Sequence, residues 1–205
     1  MSNQEKKTKK MTKSGVSPVR VLVEAAMMIA IATVLSLLKL IDLPYGGGVT
    51  IAAMLPVIII SYRHGLGWGF LTGLVFGMIQ QLLGLDNLGW VTGWVSILAV
   101  ILLDYVLAFT AFGLADLFAK PFTGKARLVG YGIGAAAVNI IRFVCSFLSG
   151  WIIWGVYAPE GQAPWLYSLL YNGGYMLPNA LLCAVVTVLL CALVNPKTLR
   201  PMYKK

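Results

Sequence analysis

Apolar residues form six long stretches along the chain, and short polar segments separate them. The stretches run over about 18–41, 50–62, 67–85, 89–115, 128–157 and 166–194. A helix needs about 20 residues to cross the hydrocarbon core of a bilayer, and all but the second stretch are of that length. We expect the second to be a broken helix or to follow non-helical chain at membrane depth. The pattern therefore predicts an all-α integral membrane protein with six transmembrane helices.

The first and last stretches carry local helix signals. Ser17 followed by Pro18 suits the start of the first helix, with serine as the N-cap and proline at the first helical position. No small-residue cleavage site follows this stretch, so we interpret it as a retained helix rather than a secretory signal. Pro178 lies inside the last stretch, where we expect it to kink the helix and free a carbonyl group.

The composition agrees with a membrane protein. Of the 205 residues, 59% are hydrophobic and 11% are charged, whereas a soluble domain carries about 25% charged residues. The mean hydropathy is +0.84. We therefore expect a basic tail over 1–17, one six-helix membrane domain over 18–195 and a second basic tail over 196–205.

The positions of the positive charges predict the orientation. Basic residues precede the first stretch, separate the second from the third and the fourth from the fifth, and follow the sixth: Lys6, Lys7, Lys9, Lys10, Lys13, Arg20, Arg63, Lys120, Lys125, Arg127, Lys197, Arg200, Lys204 and Lys205. The opposite loops carry Asp42, Asp86 and Glu160, and Asp42 can offset the nearby Lys39. Both termini are therefore expected in the cytoplasm. This topological role accounts for the net charge of +9 without a nucleic acid partner.

Several kinds of chemistry are not indicated. Cys145, Cys183 and Cys191 lie inside apolar stretches without CxxC spacing, so we interpret them as small buried hydrophobes. The one histidine, His64, has no carboxylate or cysteine near it in the sequence, and we expect no metal site. The chain lacks a phosphate-binding G-x-x-x-x-G-K-[ST] loop, and no inverted pair of broken helices is evident.

One carboxylate lies in the middle of an apolar stretch. Asp104 is the only charged residue between 91 and 115, and a carboxylate at the bilayer centre costs about 2.5–3.5 kcal/mol on insertion scales. Such residues pair with another charge or mark a functional site. Arg142 in the fifth stretch is a candidate partner, and an ion pair between the two would satisfy both charges without a ligand.

Aromatic and polar residues accompany Asp104 toward one end of the predicted bundle. On the fourth stretch Trp94 and Tyr105 are eleven residues apart, close to three helical turns, so we expect them to share a face. The fifth stretch has a stripe at four-residue spacing, and the sixth has a cluster near its outer end: Arg142, Ser146, Gly150 and Trp154, then Tyr167, Tyr171, Asn172 and Tyr175. The loop over 43–50 has three consecutive glycines, including Gly47, which permit close approach to a ligand.

Each of these features also has a simpler interpretation. Aromatic residues near a membrane surface usually form an interfacial belt, and small residues in spans usually serve helix packing. Their convergence around one carboxylate favours a pocket instead. A carboxylate supplies charge, an indole supplies stacking and cation–π attraction, and an amide and phenols bond to ring nitrogens. Together they suit a small aromatic cation.

Four sequence blocks, in order, resemble one protein family. The chain resembles the thiamine-specific substrate-binding (S) component of energy-coupling factor vitamin transporters. The blocks that carry the resemblance are LPYGGGVTIAAMLPVIIISYRHG, LLDYVLAF, RFVCSFLSGWIIWG and APWLYSLLYNGGYMLPN. The resemblance covers about 20–194. It implies a six-helix S-component fold in the cell membrane that binds thiamine near the extracellular face, without catalytic activity or a cofactor. It also implies partners: a transmembrane coupling protein and two cytoplasmic ATPases.

The resemblance also implies roles for individual residues. Asp104 and Tyr105 match thiamine contacts, and Trp154 matches a residue that stacks on a ring. Further pocket positions fall on Gly150, Tyr167, Asn172 and Trp94. The first helix of such proteins docks on the coupling protein through small residues, which are Ala26 and Ala30 here.

Three positions depart from the family pattern. Ser146 stands where histidine is common, Gly47 where some members have tryptophan, and Arg142 where members carry lysine. These departures leave open a thiamine precursor such as hydroxymethylpyrimidine, or a phosphate ester, as the ligand.

Two other functional classes are weaker alternatives. An intramembrane enzyme would need an assembled set of catalytic groups, but the chain has one histidine, no paired carboxylates within a span, and a Ser149-Gly150 dipeptide without a histidine in the membrane. A channel would need a ring of like charges, which the pattern does not indicate. The sequence therefore favours a binding subunit in which Asp104 counters the charge of thiamine while the glycine loop closes over it.

Overall fold

The computed structural model describes residues 17–43 and 47–198. Its helices are α1 (Pro18–Leu37), α2 (Leu55–His64), α3 (Leu66–Leu83), α4 (Trp94–Ala119), α5 (Arg127–Ile152) and α6 (Pro164–Leu193). Two short strands, β1 (Lys39–Asp42) and β2 (Gly48–Thr50), pair antiparallel between α1 and α2. Short 3-10 turns cover Leu85–Trp90, Gly124–Ala126 and Trp154–Tyr157.

The helices confirm the predicted fold class. Within the described ranges, α1, α3, α4, α5 and α6 are long and apolar enough to cross a membrane. The chain is therefore a multi-pass, all-α membrane protein. Most of the basic tail residues lie outside the described residues: Lys6, Lys7, Lys9, Lys10, Lys13, Arg200, Lys204 and Lys205.

The first helix is shorter than its apolar stretch. It begins at Pro18 with Ser17 at the N-cap position, as expected, although the Ser17 side chain makes no capping hydrogen bond. It ends at Leu37 rather than near residue 41, because the chain then turns into β1 and Ile41 pairs with Val49 of β2. The predicted offset of Lys39 by Asp42 is confirmed, with an Nζ–Oδ1 distance of 2.7 Å.

The short second stretch becomes the most enclosed helix. Every residue of α2 from Leu55 to Tyr62 is buried, and the non-helical chain of β2 precedes it as expected. Two hydroxyl groups bond it to its neighbours: Ser61 Oγ donates to Gly113 O of α4 at 2.7 Å, and Tyr62 Oη donates to Tyr131 O of α5 at 2.5 Å. A helix that is apolar on all sides is stable only when it is surrounded, and the other five helices enclose α2.

Three glycines let α3 pack directly against the backbone of α4. Gly69, Gly73 and Gly77 recur at four-residue spacing on one face of α3. A Cβ atom added at Gly69 would lie 2.8 Å from Gly113 Cα, and one at Gly77 would lie 2.7 Å from Tyr105 O. Small residues of this kind allow close helix contact in membranes, and here the contact fixes the part of α4 that carries Asp104.

The fourth helix is not regular. Its turns over Ile101–Leu107 are π-helical, with i to i+5 hydrogen bonds, and those over Ala111–Leu114 are 3-10 helical. Asp104 and Tyr105 lie within the π-helical part. The apolar pattern did not predict this change of winding, which widens the helix where its one carboxylate lies.

A charged cluster joins three segments at the opposite end from the β-hairpin. Arg63 Nε forms an ion pair with Glu24 Oε1 of α1, and Arg63 Nη1 donates to Pro196 O at 3.1 Å and Lys197 O at 3.3 Å. His64 Nε2 lies 3.2 Å from Glu24 Oε2. No carboxylate lies near His64 in the sequence, but helix packing brings Glu24, 40 positions away, next to it.

Replacing Arg63 by methionine is expected to lower the free energy of unfolding by about 3–5 kcal/mol. The reason is that the Glu24 carboxylate, 17% exposed, would lose its closest counter-charge while staying mostly buried. Thermal unfolding of the purified protein in detergent measures the effect. Arg20→Met is the matched control, because Arg20 is exposed at the same end of the bundle. Equal unfolding temperatures for the two variants would contradict a stabilising role of the cluster.

Candidate functional site

A cavity of about 260 Å³ lies at the end of the bundle that carries the β-hairpin. Every spanning helix contributes to its wall, together with β1, the residue before β2, and the turn after α3. The lining residues are Ser36, Leu37, Lys39, Gly47, Gln80, Leu83, Gly84, Asn87, Val100, Asp104, Tyr105, Phe109, Arg142, Ser146, Gly150, Trp154, Tyr167, Ser168, Tyr171, Asn172 and Tyr175. All the predicted pocket residues except Trp94 are among them.

The carboxylate of Asp104 is held by neutral donors of α5 and the turn that follows it. Ser149 Oγ donates a hydrogen bond to Asp104 Oδ2 at 2.5 Å. The Ser146 hydroxyl and the Trp154 indole N–H also lie within hydrogen-bonding reach of this carboxylate. An anion in an apolar membrane protein needs such donors when no cation contacts it.

Arg142 does not supply the counter-charge in this structure. Neither it nor Asp104 takes part in an ion pair with any described residue, so the predicted ion pair between them is not formed. The guanidinium carbon instead lies 4.9 Å from the ring centroid of Phe109, a cation–π distance. Its Nε is buried without a hydrogen-bond partner. The guanidinium therefore lies over the Phe109 ring and forms no ion pair with the carboxylate, although both residues line one cavity.

The amide of Asn172 is oriented by the protein. Its Nδ2 donates to Ser146 O at 3.2 Å and lies 3.1 Å from Ser168 O, and its Oδ1 accepts from Tyr175 Oη at 3.1 Å. The oxygen of an amide has two lone pairs. Only one acceptor position on Oδ1 thus remains for a ligand.

Gly150 allows α5 to approach α6 beside the cavity. A Cβ atom at this position would overlap Ser168 Oγ and lie 2.8 Å from Asn172 Nδ2. Any larger residue would therefore displace the two polar side chains of α6 that face α5. This packing requirement accounts for glycine within the predicted stripe.

Tyrosines of α6 form an aromatic wall under the β-hairpin. Tyr167 stacks on Tyr171 with ring centroids 6.0 Å apart, and Tyr171 meets Tyr175 edge to face at 5.7 Å. The amide of Gly47 donates to Tyr171 Oη at 3.2 Å. Asn179 holds β2, because its Oδ1 accepts from Thr50 N at 2.9 Å and its Nδ2 donates to Gly48 O at 2.8 Å. The base of the glycine loop thus lies against the cavity.

Trp94 is a correction to the predicted site. It is 74% exposed and lies outside the cavity. The eleven-residue spacing to Tyr105 places two residues on one face only in a regular α-helix. Each residue of a π-helix advances by a smaller angle, so the π-helical turns of α4 rotate Trp94 away from the face of Tyr105.

A sequence model of the family described as "Thiamine transporter protein" matches residues 22–199 of the chain. The chain belongs to this family. Two curated members are similar to it. ThiT of Bacillus subtilis strain 168, a thiamine transporter, is 34% identical over an alignment of 178 residues, and the match covers 82% of this chain and 88% of that protein. ThiT of Lacticaseibacillus paracasei, also a thiamine transporter, is 30% identical over 182 residues, covering 81% and 84% of the two chains.

A solved member of the thiamine transporter family has the same fold. The structure of ThiT from Listeria monocytogenes superposes with a TM-score of 0.69 at 22% sequence identity. The superposed part covers 84% of this chain and 93% of the Listeria chain. The helix arrangement described above is therefore that of a solved ThiT structure. The family model and the two curated relatives confirm the family resemblance stated from the sequence blocks.

Several polar lining residues were missed by sequence reasoning, and three of them lie opposite α5 and α6. Ser36 of α1, Gln80 of α3 and Asn87 of the following turn line the cavity from the side facing α5 and α6. Gln80 Nε2 donates to Ser36 Oγ at 2.9 Å, so the two helices share a polar contact at the cavity. Gln80 is one of two adjacent glutamines in a stretch that is otherwise apolar. A polar pair at such a position is the signal that could have identified it.

The predicted docking residues lie on an open face of α1. Ala26 and Ala30 are exposed, and they fall on one stripe with the exposed side chains of Val23, Met27 and Val34. Neither alanine lines the cavity. A change at Ala26 or Ala30 can therefore be made without touching the candidate site.

Proposed function

We propose that this chain is the thiamine-binding S component of an energy-coupling factor transporter, and that it mediates vitamin B1 uptake across the cell membrane. The observation that carries this proposal is the carboxylate of Asp104, which lines an aromatic cavity within the membrane bundle and has no cationic partner among the described residues. A permanent organic cation with aromatic rings complements such a site. Family membership supports thiamine as that cation.

Each part of thiamine has a complementary group in this proposal. The thiazolium charge is countered by Asp104, and the indole of Trp154 stacks on a ring. The free acceptor position of Asn172 suits the amino group of the pyrimidine. The hairpin that brings Gly47 to Tyr171 would close the cavity from outside and exclude water.

The transport cycle needs partners. The chain itself binds thiamine without a cofactor, without a metal and without catalysing a reaction. We propose that a transmembrane coupling protein docks on the stripe of α1 containing Ala26 and Ala30. Two cytoplasmic ATPases would then drive a tilting of the whole subunit that releases thiamine inside. The predicted cytoplasmic termini agree with this direction, because they place the cavity at the outer end.

A phosphate ester of thiamine is a second candidate ligand, and Arg142 favours it. The guanidinium lines the cavity without a hydrogen-bond partner at Nε and without an ion pair in the described ranges. Arginine binds phosphate oxygens well because its donors form a planar fork. Competition binding with thiamine, its monophosphate and hydroxymethylpyrimidine ranks the three ligands.

Thiamine is expected to quench the intrinsic tryptophan fluorescence of the purified protein in a saturable manner, since the indole of Trp154 lines the cavity. Trp154→Phe should remove most of the quenching at saturating thiamine. Trp94→Phe is the matched control and should retain it, because Trp94 is exposed outside the cavity. A wild-type protein that shows neither quenching nor heat of binding with thiamine would overturn the proposed function.

A further inference from the structure

Ser149 is a completely buried serine of α5, 0% exposed, whose hydroxyl bonds across the helix interface to Asp104 at 2.5 Å. We propose that Ser149 is a positioning residue for cation binding: its hydroxyl aims the Asp104 carboxylate and preserves its charge while no cation is bound. This inference rests on the proposed function of the cavity. Ser149 itself does not line the cavity, so its effect passes through Asp104.

The acceptor of this hydrogen bond is a carboxylate, which distinguishes Ser149 from the hydroxyl residues of the bundle that donate to carbonyl groups. Thr33, Thr72 and Thr187 donate to the carbonyl four residues earlier in their own helices, at 2.8, 2.7 and 2.6 Å. That local bond is the usual choice for a serine or threonine inside a helix. Ser149 instead donates to a carboxylate on another helix. Hydrogen bonds to a charged acceptor are roughly twice as strong as neutral ones.

The backbone places two hydroxyl groups beside the carboxylate. Ser146 and Ser149 are three residues apart, so they lie one turn apart on the same side of α5. Gly150 follows directly and lets α5 approach α6, while the π-helical turns of α4 carry Asp104. The carboxylate therefore meets a preformed pair of donors.

Neutral donors have a consequence for binding that an ion pair would not have. If Arg142 paired with Asp104 in the empty cavity, an incoming cation would have to break that ion pair. The guanidinium instead lies over Phe109, and hydroxyl dipoles stabilise the anion. An incoming cation therefore reaches the carboxylate without breaking an ion pair between Asp104 and another described residue.

The test is the affinity of Ser149→Ala for two ligands: thiamine, and a neutral isostere in which a thiophene ring replaces the thiazolium. We expect thiamine to bind about tenfold to a hundredfold more weakly, because a hydrogen bond to a charged group is lost. The affinity for the neutral isostere should fall by no more than about twofold, because this ligand carries no positive charge for Asp104 to counter. Titration calorimetry of the full chain in detergent measures both affinities.

Two further variants separate positioning from packing. Ser168→Ala removes an equally buried hydroxyl that donates to Phe147 O rather than to Asp104, so it should change both affinities by the same factor. Ser149→Cys leaves no cavity, because it replaces the hydroxyl by a somewhat larger thiol that is a weaker donor, and it should give a smaller loss confined to thiamine. This variant decides the question if Ser149→Ala fails to fold.

Each remaining outcome has a defined meaning. An equal loss for thiamine and the neutral isostere would assign Ser149 to packing and overturn the proposal, as would unchanged thiamine affinity in both Ser149 variants. A wild-type protein that binds neither ligand would instead overturn the proposed function of the cavity. The two failures are thus distinguishable in one set of titrations.

Discussion

Replacing Asp104 by asparagine is expected to weaken thiamine binding by about a hundredfold or more. Removing one partner of a buried charge pair costs about 2–5 kcal/mol, and about 1.4 kcal/mol corresponds to a factor of ten in affinity. Asparagine has nearly the same shape, and its amide oxygen can still accept from Ser149. The variant should therefore insert and fold while it loses the charge. Titration of the purified protein measures the loss.

The control for this prediction is an acidic residue at the same end of the bundle. Asp86 is exposed in the turn after α3 and does not line the cavity. Asp86→Asn should bind thiamine with wild-type affinity, which separates the local charge of Asp104 from the overall charge of the protein. Wild-type affinity in a folded Asp104→Asn variant would remove the proposed charge pairing with thiamine.

Placing tryptophan at Ala26 or Ala30 is expected to abolish thiamine uptake by cells while binding to the purified subunit stays within about twofold of wild type. Small residues at a helix interface in a membrane let two backbones approach closely, and a large side chain at that interface separates them. Both alanines are exposed on α1, on the stripe that includes Met27. Uptake of labelled thiamine, measured beside calorimetric binding, distinguishes the two steps.

A second exposed position provides the matched control for docking. Val129 is 56% exposed near the start of α5, at the same end of the bundle as Ala26. Val129→Trp should leave both uptake and binding unchanged, because it adds an indole to a face outside the α1 stripe. Normal uptake with tryptophan at both Ala26 and Ala30 would show that the coupling protein docks elsewhere.

The structure changes the interpretation of Asp104 and Arg142. Their sequence pattern suggested an ion pair that either stabilises the bundle or compensates the carboxylate while the cavity is empty. The described residues contain neither arrangement, since Ser149 bonds to Asp104 and Phe109 lies under the Arg142 guanidinium. In the empty site a neutral donor contacts the carboxylate, and no ion pair forms between it and any described residue. This leaves both charges available to ligand groups of opposite sign.

Much of the fold could be predicted because a bilayer restricts what an apolar chain can do. A stretch without water must satisfy its backbone internally, so long apolar runs become helices. All six stretches did, and five of these helices are long enough to cross a membrane. The second stretch was recognised as unusual because its length was too short. The end of α1 could not be predicted, because Leu40 and Ile41 are as apolar as the helix before them and only pairing with β2 draws them into a strand.

The candidate site was predictable wherever a polar residue stood out against an apolar background. Asp104, Arg142 and Asn172 carry their own signal, because each is expensive to bury in a membrane. Trp94 was misplaced, because regular winding was assumed through the π-helical turns of α4. Ser149 was considered only as a nucleophile, since a serine in an apolar helix usually bonds to its own backbone.

The sequence by itself determined the class of the protein, its membrane-spanning segments and the identity of its buried charges. These properties follow from composition and periodicity, because the free energy of transferring a side chain from water into the bilayer depends mainly on that side chain. Only the tertiary structure decided which groups meet. The Ser149 hydroxyl reaches a carboxylate 45 positions earlier in the chain, and Glu24 lies beside Arg63 and His64. Such contacts depend on helix rotation and close approach, which glycine packing and the winding of α4 set.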